Sequence, residues 1–501
     1  MLKVRKTRTG SGNTAVQVVH YHDRQIDVIK HIGTAHDDRE IADLVRLAHQ
    51  FILTYSPIPP LLPEAFADPP TSQLVSVDKL VFTNTYHTFA FEFLSQFYRL
   101  NGFDVLDSPL LRDLAFMRVF EPTSKLRSIE LFNRYFGATY TRNTLYKGLA
   151  ELRELKSPAE RAAVAYAKQH LGFDFSLVFY DVTTLYFETF QDDALRKMGY
   201  SKDNKSNQPQ VLIGLVVTPQ GYPIAADLFA GNTFEGHTLL PVIERLKQTH
   251  AIDSLTVVAD AAMLSLDNLR VLEQAGLGYI VGARLGHLPP ELLREISTRL
   301  DQTEGRYVRI TTAQGQLICD YSKRRAHKDR SDRNKQLQRA HEQMARPGQI
   351  KRRSRYLRES RKAMFELNQS MIDADVLREG LKGYYTNLVD RPEDLIVSRY
   401  KDLWNVEQSF RMAKTDLAVR PIYHRKRESI ETHILIVFVG LCLAKSIELR
   451  TGYSIKKVKD LIWDILDIEF EDIITRKKYR RRMDVTQNQM AELLNSIERA
   501  Y

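Results

Sequence analysis

The chain has 501 residues, 43% hydrophobic and 27% charged, with a net charge of +10, the composition of an ordinary globular protein of about two to four domains. Its two cysteines, Cys319 and Cys442, exclude a disulfide framework and a cysteine zinc site and fit a reducing cytoplasm. The start, Met1-Leu2-Lys3-Val4-Arg5-Lys6, has no apolar core for a signal peptide, and the apolar run Ile434 to Ala444 is too short to cross a bilayer, so no membrane association is expected.

Residues 1–35 alternate in the strand manner, with Ala15 to Tyr21 and Gln25 to Ile29 on either side of a turn, and predict a small antiparallel meander. Residues 36–172 read as helical and as a candidate DNA-end-binding region. Asp37 or Asp38 caps the first helix, with Ile41, Leu44, Leu47 and Ile52 at helical spacing. Six prolines between Pro57 and Pro70 mark a linker or an irregular wrapping segment. Ser124 starts a helix that Gly137 ends, and Thr141 starts another through Glu154. The pair has the outline of a helix-turn-helix, although ordinary helix packing explains it equally well.

Residues 173–284 predict strands at 176–181, 210–218, 222–229, 255–260 and 278–283, with helices at 237–248 and 265–275. Three hairpin-linked strands followed by helix–strand alternation is the order of a ribonuclease H-like α/β fold. Residues 285–382 break the pattern and predict an inserted α+β subdomain. The segment Ser322 to Lys362 there carries 16 Lys/Arg and 4 Asp/Glu, a local net charge of +12 that leaves the rest of the chain near neutral. Basicity concentrated in one place points to a polyanion more than diffuse basicity does. Lys323, Arg324, Arg325, Lys328, Arg330, Arg333, Lys351, Arg352 and Arg353 are its candidate DNA contacts, with Lys125, Arg142 and Arg411 elsewhere. Residues 383–450 return to the core with a strand and a long helix from Pro392 to about Leu417. Residues 451–501, mostly helical with a basic knot at Arg476 to Arg482, are a candidate dimerisation or DNA-contact region.

Two predicted strands end in aspartates, Asp181 and Asp260. A carboxylate at the end of a buried strand is costly unless something charged meets it. The long helix carries Tyr400, Glu407 and Lys414 seven residues apart on one face, with Arg411 nearby. Taken alone, that helix reads as a surface helix with a Glu407–Arg411 pair. Together with the two aspartates it completes three carboxylates, a set suited to divalent metal and to phosphoryl transfer. Glu188, Asp227 and His237 read as solvent-facing, turn or capping residues, Glu235 as a weaker outside candidate, and Trp404 and Trp463 as packing residues.

The segments Tyr180-Asp181-Val182-Thr183-Thr184, Val258-Ala259-Asp260-Ala261-Ala262-Met263 and Tyr400 through Lys414 resemble those of bacterial insertion-sequence DDE transposases, in the group with a Tyr-Arg-Glu-Lys signature on the glutamate helix. Phe229 to Thr233 with Glu235, and Arg420-Pro421-Ile422-Tyr423-His424, extend the similarity over roughly residues 110–445. The resemblance implies a ribonuclease H-like catalytic domain, metal ligation by Asp181, Asp260 and Glu407, and supporting catalytic roles for Tyr400 and Lys414. It implies two Mg²⁺ ions, with Mn²⁺ as a substitute. It also implies a homodimer on double-stranded DNA, acting on transposon ends and target, in a bacterial cytoplasm. A related nuclease without strand transfer and a transposase-derived DNA-binding protein are the alternatives. One position departs from the signature: Leu403 stands where the arginine belongs, with Arg399 and Arg411 as candidate replacements.

Overall fold

The computed structural model describes residues 2–10, 12–22, 25–54, 79–189, 191–199, 207–261, 266–346, 353–360, 364–420, 422, 424–473 and 476–483. The proline-rich segment lies outside these residues. The chain forms two compact units, Met1–Thr83 with Glu469–Tyr479, and Asn84–Ile468 with Arg480–Tyr501.

In the smaller unit, β1 (Leu2–Arg8), β2 (Thr14–His22) and β3 (Gln25–Ala35) form the antiparallel meander read from the alternation. Helix α1 (Asp38–Thr54) covers one face with Leu44 and Ala48, which pack with Val16 and Val18. Asp37 caps α1, its Oδ1 accepting from the Glu40 N–H at 2.8 Å. Strand β4 (Leu80–Tyr86) follows, in a stretch read from sequence as helical.

The larger unit begins with a helical layer: α2 (Thr88–Leu100), α3 (Pro109–Phe120), α4 (Lys125–Phe136), α5 (Arg142–Leu152) and α6 (Lys156–Leu171). The caps read from sequence are present, as Ser124 Oγ accepts from Arg127 N–H and Thr141 Oγ1 from Thr144 N–H.

An eight-stranded sheet forms the centre. Its strands are β5 (Leu177–Tyr186), β6 (Gln210–Val217), β7 (Pro223–Ala230), β8 (Thr256–Ala259), β9 (Gly278–Ala283), β10 (Tyr307–Thr312), β11 (Gly315–Tyr321) and, after the insertion, β14 (Leu381–Thr386). Their order is β10-β11-β14-β9-β8-β5-β6-β7. Hairpins join β5, β6 and β7, with Gly221 at φ 80° completing the β6–β7 reversal. Strands β5, β8 and β9 are parallel. This is the ribonuclease H-like strand pattern. Helices α7 (Leu239–His250) and α8 (Leu266–Gln274) make the crossovers, and α9 (Pro290–Leu300) follows β9. All eight residues of β6 are buried, and truncating one of its large side chains would cost about 2–5 kcal/mol.

The β10–β11 hairpin, assigned from sequence to the insertion, joins the central sheet by antiparallel pairing of β11 with β14. The separate insertion narrows to α10 (Lys323–Ala345), the β12 (Leu357–Ser360)–β13 (Met364–Leu367) hairpin and α11 (Gln369–Arg378). Tyr356, Leu357, Ile372 and Ala340 form its small core.

The long helix after Pro392 is two helices, α12 (Glu393–Lys401) and α13 (Trp404–Thr415). Between them Leu403 N–H bonds to Tyr400 C=O and Val406 N–H to Leu403 C=O, three residues back instead of four. That tight turn breaks the seven-residue register expected to align Tyr400 with Glu407. The chain continues with α14 (Arg427–Thr451), α15 (Ile455–Trp463), β15 (Asp467–Asp472) and β16 (Lys478–Arg482), so the basic knot is partly strand. Helix α14 is long and apolar enough to span a membrane, but 94% of its apolar stretch is buried within the protein, as in a core helix.

Candidate active site

Asp181 does not end its strand. β5 runs five residues further, and pairing with β6 continues from Asp181↔Leu215 to Tyr186↔Gln210. What ends near Asp181 is the parallel pairing with β8, whose last pair is Tyr180↔Ala259. Asp260 is the next residue on the neighbouring chain segment. The two aspartates are therefore lateral neighbours where two parallel strands part, and adjacent strands lie about 5 Å apart.

Side chains alternate along a strand, so Asp181 shares a face with Thr183 and Leu185. Those two residues line a small apolar cavity of about 40 Å³ with Leu215, Phe410, Ala413 and Lys414. Helix α13 thus covers the sheet face that carries Asp181, with Lys414 beside Asp181's register partner. Two hydrogen bonds fix the start of α13: Asn405 Nδ2 donates to Pro219 C=O at 2.8 Å, and Ser409 Oγ to Gly221 C=O at 2.7 Å. Glu407 and Arg411 lie on its exposed side. Trp404, read as a packing residue, is 51% exposed one turn before Glu407.

Helix α12 brings Tyr400 to Asp260. The buried phenol donates to Asp260 Oδ1 at 3.2 Å, and the Ala261 N–H donates to the same oxygen at 2.7 Å. Gly282 on β9 makes room for this contact. A Cβ there would meet the Tyr400 hydroxyl at 2.5 Å and the Ala261 Cβ at 3.2 Å. Burial, followed by the charges of Asp260 and Glu407, holds the Tyr400 hydroxyl well above the ordinary phenol range. Tyr400 is therefore protonated at neutral pH and lies within electrostatic reach of both carboxylates. Among the described residues, no three carboxylate, imidazole or thiol groups are close enough to hold one ion. Asp181 and Asp260 follow the last paired residues of two parallel strands, and Asp260 and Glu407 both act on the Tyr400 hydroxyl.

Leu403 is 6% exposed and belongs to the core, which explains why it carries no charge. Arg399 pairs with Asp402 at 3.8 Å. The cation at this place is Lys382 of β14, which sequence reasoning passed over. Its Nζ lies 4.5 Å from the centre of the Tyr400 ring. Burial lowers its pKa, with Asp320 and Asp260 acting in the opposite direction. Lys382, Asp260, Tyr400, Gly282, Arg325 and Arg355 line a cleft of about 450 Å³ between the sheet and the insertion.

Lys323, Arg324, Arg325, Lys328 and Arg330 are exposed on α10. Arg330 pairs with Glu379 at 3.3 Å, and half-buried Arg333 pairs with the same carboxylate. Arg325 lies 4.0 Å from Asp329, and Arg353 lies 3.7 Å from Glu359. Lys323, Arg324 and Lys328 make no ion pair among the described residues. Lys351 and Arg352 lie outside those residues. Arg142 is exposed against the Tyr146 ring, whereas Lys125 is buried. Asp227, read as a turn residue, is an ion-pair partner of Lys156 at 2.8 Å and Arg245 at 2.6 Å. Glu188 is exposed, and Glu235 opens a short 3-10 turn before α7.

No curated protein matches the chain. Among solved structures, a cryo-electron microscopy structure of a piggyBac transposase synaptic complex with hairpin DNA is 12% identical. That match covers 75% of this chain and 70% of that one at a TM-score of 0.35. The family model described as the transposase DDE domain matches residues 172–443, from just before β5 into α14. That span is more than half of the chain and contains both strand aspartates and the glutamate helix, and the chain belongs to the transposase DDE domain family.

Proposed function

We propose that this protein is the DNA transposase of an insertion sequence, binding the element's inverted-repeat ends as a homodimer and cutting and joining DNA at Asp181, Asp260 and Glu407. The observation that carries this reading is that Asp181 and Asp260 are the next residues after the last pair of two parallel strands, with Tyr400, on the helix before that of Glu407, hydrogen-bonded to Asp260. The donor set is oxygen throughout, which fits Mg²⁺, with Mn²⁺ as a substitute, and does not suit soft metals. Asp260 Oδ1 is taken by Tyr400 and the Ala261 N–H, which leaves Oδ2 for a ligand. Asp181, Asp260 and Glu407 would hold two divalent ions, which would supply positive charge to the attacking and leaving oxygens of a phosphoryl transfer.

The chain's own residues do the rest. Tyr400 orients Asp260 through its hydrogen bond to Oδ1. Lys414 and Arg411 offer cations along α13 to a DNA backbone, and the exposed cations of α10 extend that surface. Water cuts the phosphodiester and leaves a 3′-hydroxyl and a 5′-phosphate. That hydroxyl then attacks a target phosphodiester at the same site, forming a new phosphodiester and releasing the target's own 3′-hydroxyl, since only the attacking oxygen changes. A DNA carrying the inverted repeats that flank the gene, incubated with protein and Mg²⁺, should yield both cleaved ends and joined products. Cleavage without joined products would make the protein a nuclease, and intact DNA would remove the reading.

A further inference from the structure

A second cationic site lies away from the aspartates. Arg118 of α3 and Lys125 of α4 are 7% and 5% exposed, and no carboxylate among the described residues pairs with either. Their partners are two imidazoles and one backbone carbonyl, Arg118 Nη1 donating to Ala418 C=O at 3.4 Å. Lys125 Nζ is hydrogen-bonded to His424 Nε2, and Arg118 Nη2 lies 3.4 Å from His433 Nδ1. The two rings are 5.5 Å apart. His433 Nε2 meets the Val419 carbonyl at 3.0 Å, so that nitrogen carries the proton and Nδ1 accepts from Arg118. Both imidazoles are therefore neutral acceptors. They orient the cations without balancing their charge. Burial lowers the pKa values of all four groups, and Arg118 presses Lys125 down further, to about 7.

Two cations buried together with no acid are unfavourable unless something else neutralises them. The surroundings add to the positive potential. Helix α4 starts at Lys125, with Ser124 capping Arg127, so the positive end of its dipole is there. His424 is half-exposed, and the residues after it, Arg425 and Lys426, are exposed cations at the rim. The two buried cations thus lie next to a basic surface, with their donors held in place by hydrogen bonds.

We propose that Arg118, Lys125, His424 and His433 form a recess for one phosphate group, supplied by a DNA backbone that runs over Arg425 and Lys426. The phosphate chemistry follows from the charge and donors alone. Its assignment to DNA rests on the transposase reading above.

The test uses the full-length protein, with Lys125→Met to remove one buried cation at similar volume and His424→Gln to keep a neutral acceptor. Inorganic phosphate should raise the melting temperature of the wild type above that in chloride at matched ionic strength. Without phosphate, Lys125→Met should melt no lower than the wild type, and its phosphate response should be lost. His424→Gln should weaken the response. On duplex DNA, the slope of log affinity against log salt should be shallower in Lys125→Met by about 0.9, one phosphate contact. A wild type that responds equally to phosphate and chloride, or a Lys125→Met that keeps the phosphate response, overturns the recess. A lost phosphate response with an unchanged DNA slope overturns the DNA assignment. Asp260→Asn should keep the phosphate response while losing cleavage, so failure of the catalytic reading is distinguishable from failure of the recess.

Discussion

The Tyr400 hydroxyl donates to Asp260 Oδ1 at 3.2 Å across 140 residues of sequence. It joins the end of β8 to the helix before Glu407, and it is the contact that makes the site one object. Tyr400→Phe removes the donor while keeping the ring packed against Tyr384, 4.8 Å between centres. A hydrogen bond to a charged acceptor contributes about 1.5–3 kcal/mol, so metal-dependent cleavage should fall about 10- to 100-fold. Melting should change little, and single-turnover cleavage with a thermal scan checks both.

Gly282→Ala tests the same contact from the other side. The new Cβ would meet the Tyr400 hydroxyl and Ala261, and overpacking of this kind costs about 1–3 kcal/mol. Cleavage should fall at least as far as in Tyr400→Phe. The double variant should be little worse than Gly282→Ala alone, because both changes break one contact.

Lys382 should carry the charge that the signature arginine supplies in the resembling family. Lys382→Met should reduce cleavage more than Lys382→Arg does, with duplex binding retained. Leu403→Arg should not rescue Lys382→Met. At 6% exposure Leu403 faces the core, and an arginine there would destabilise the fold instead of reaching the site. Paired cleavage and melting measurements decide it.

The buried cations also give stability a pH dependence. Lys125 is held at about 7 against 10.5 for the free group. Between those values the unfolded chain binds the extra proton, so stability rises with pH across that window, and the full penalty applies below about 7. His424, held at about 4 against 6.5, acts in the same direction between those values. Arg118, which faces both, is itself held by burial at about 10 against 12.5 for the free group, so it acts in the same direction at the top of the window. Denaturant midpoints in phosphate-free buffer should rise through the alkaline window, and Lys125→Met should flatten that part of the curve.

Much of this was legible in the sequence, because local rules govern it. Strand alternation gave the meander, Ser124 and Thr141 marked the helix starts, and hairpins followed by crossovers gave the strand order. What escaped depends on pairing partners far away. Asp181 looked like a strand end, since Tyr180 and Ala259 close the β5–β8 pairing beside it, yet β6 carries the strand on. The β10–β11 hairpin looked like part of the insertion until β14, some 60 residues later, paired with it. Nothing local signals the tight turn at Asp402–Leu403, so Tyr400 and Glu407 seemed to lie on one helix face. Lys382 has no motif of its own, and its importance comes from the aromatic ring that α12 brings beneath it.

The most direct test of the account is metal-dependent cleavage by Asp181→Asn, Asp260→Asn and Glu407→Gln, measured beside duplex binding on the same samples. Each variant should bind DNA as the wild type does and cut none of it in Mg²⁺ or Mn²⁺. Wild-type cleavage by any one of them would contradict the three-carboxylate site.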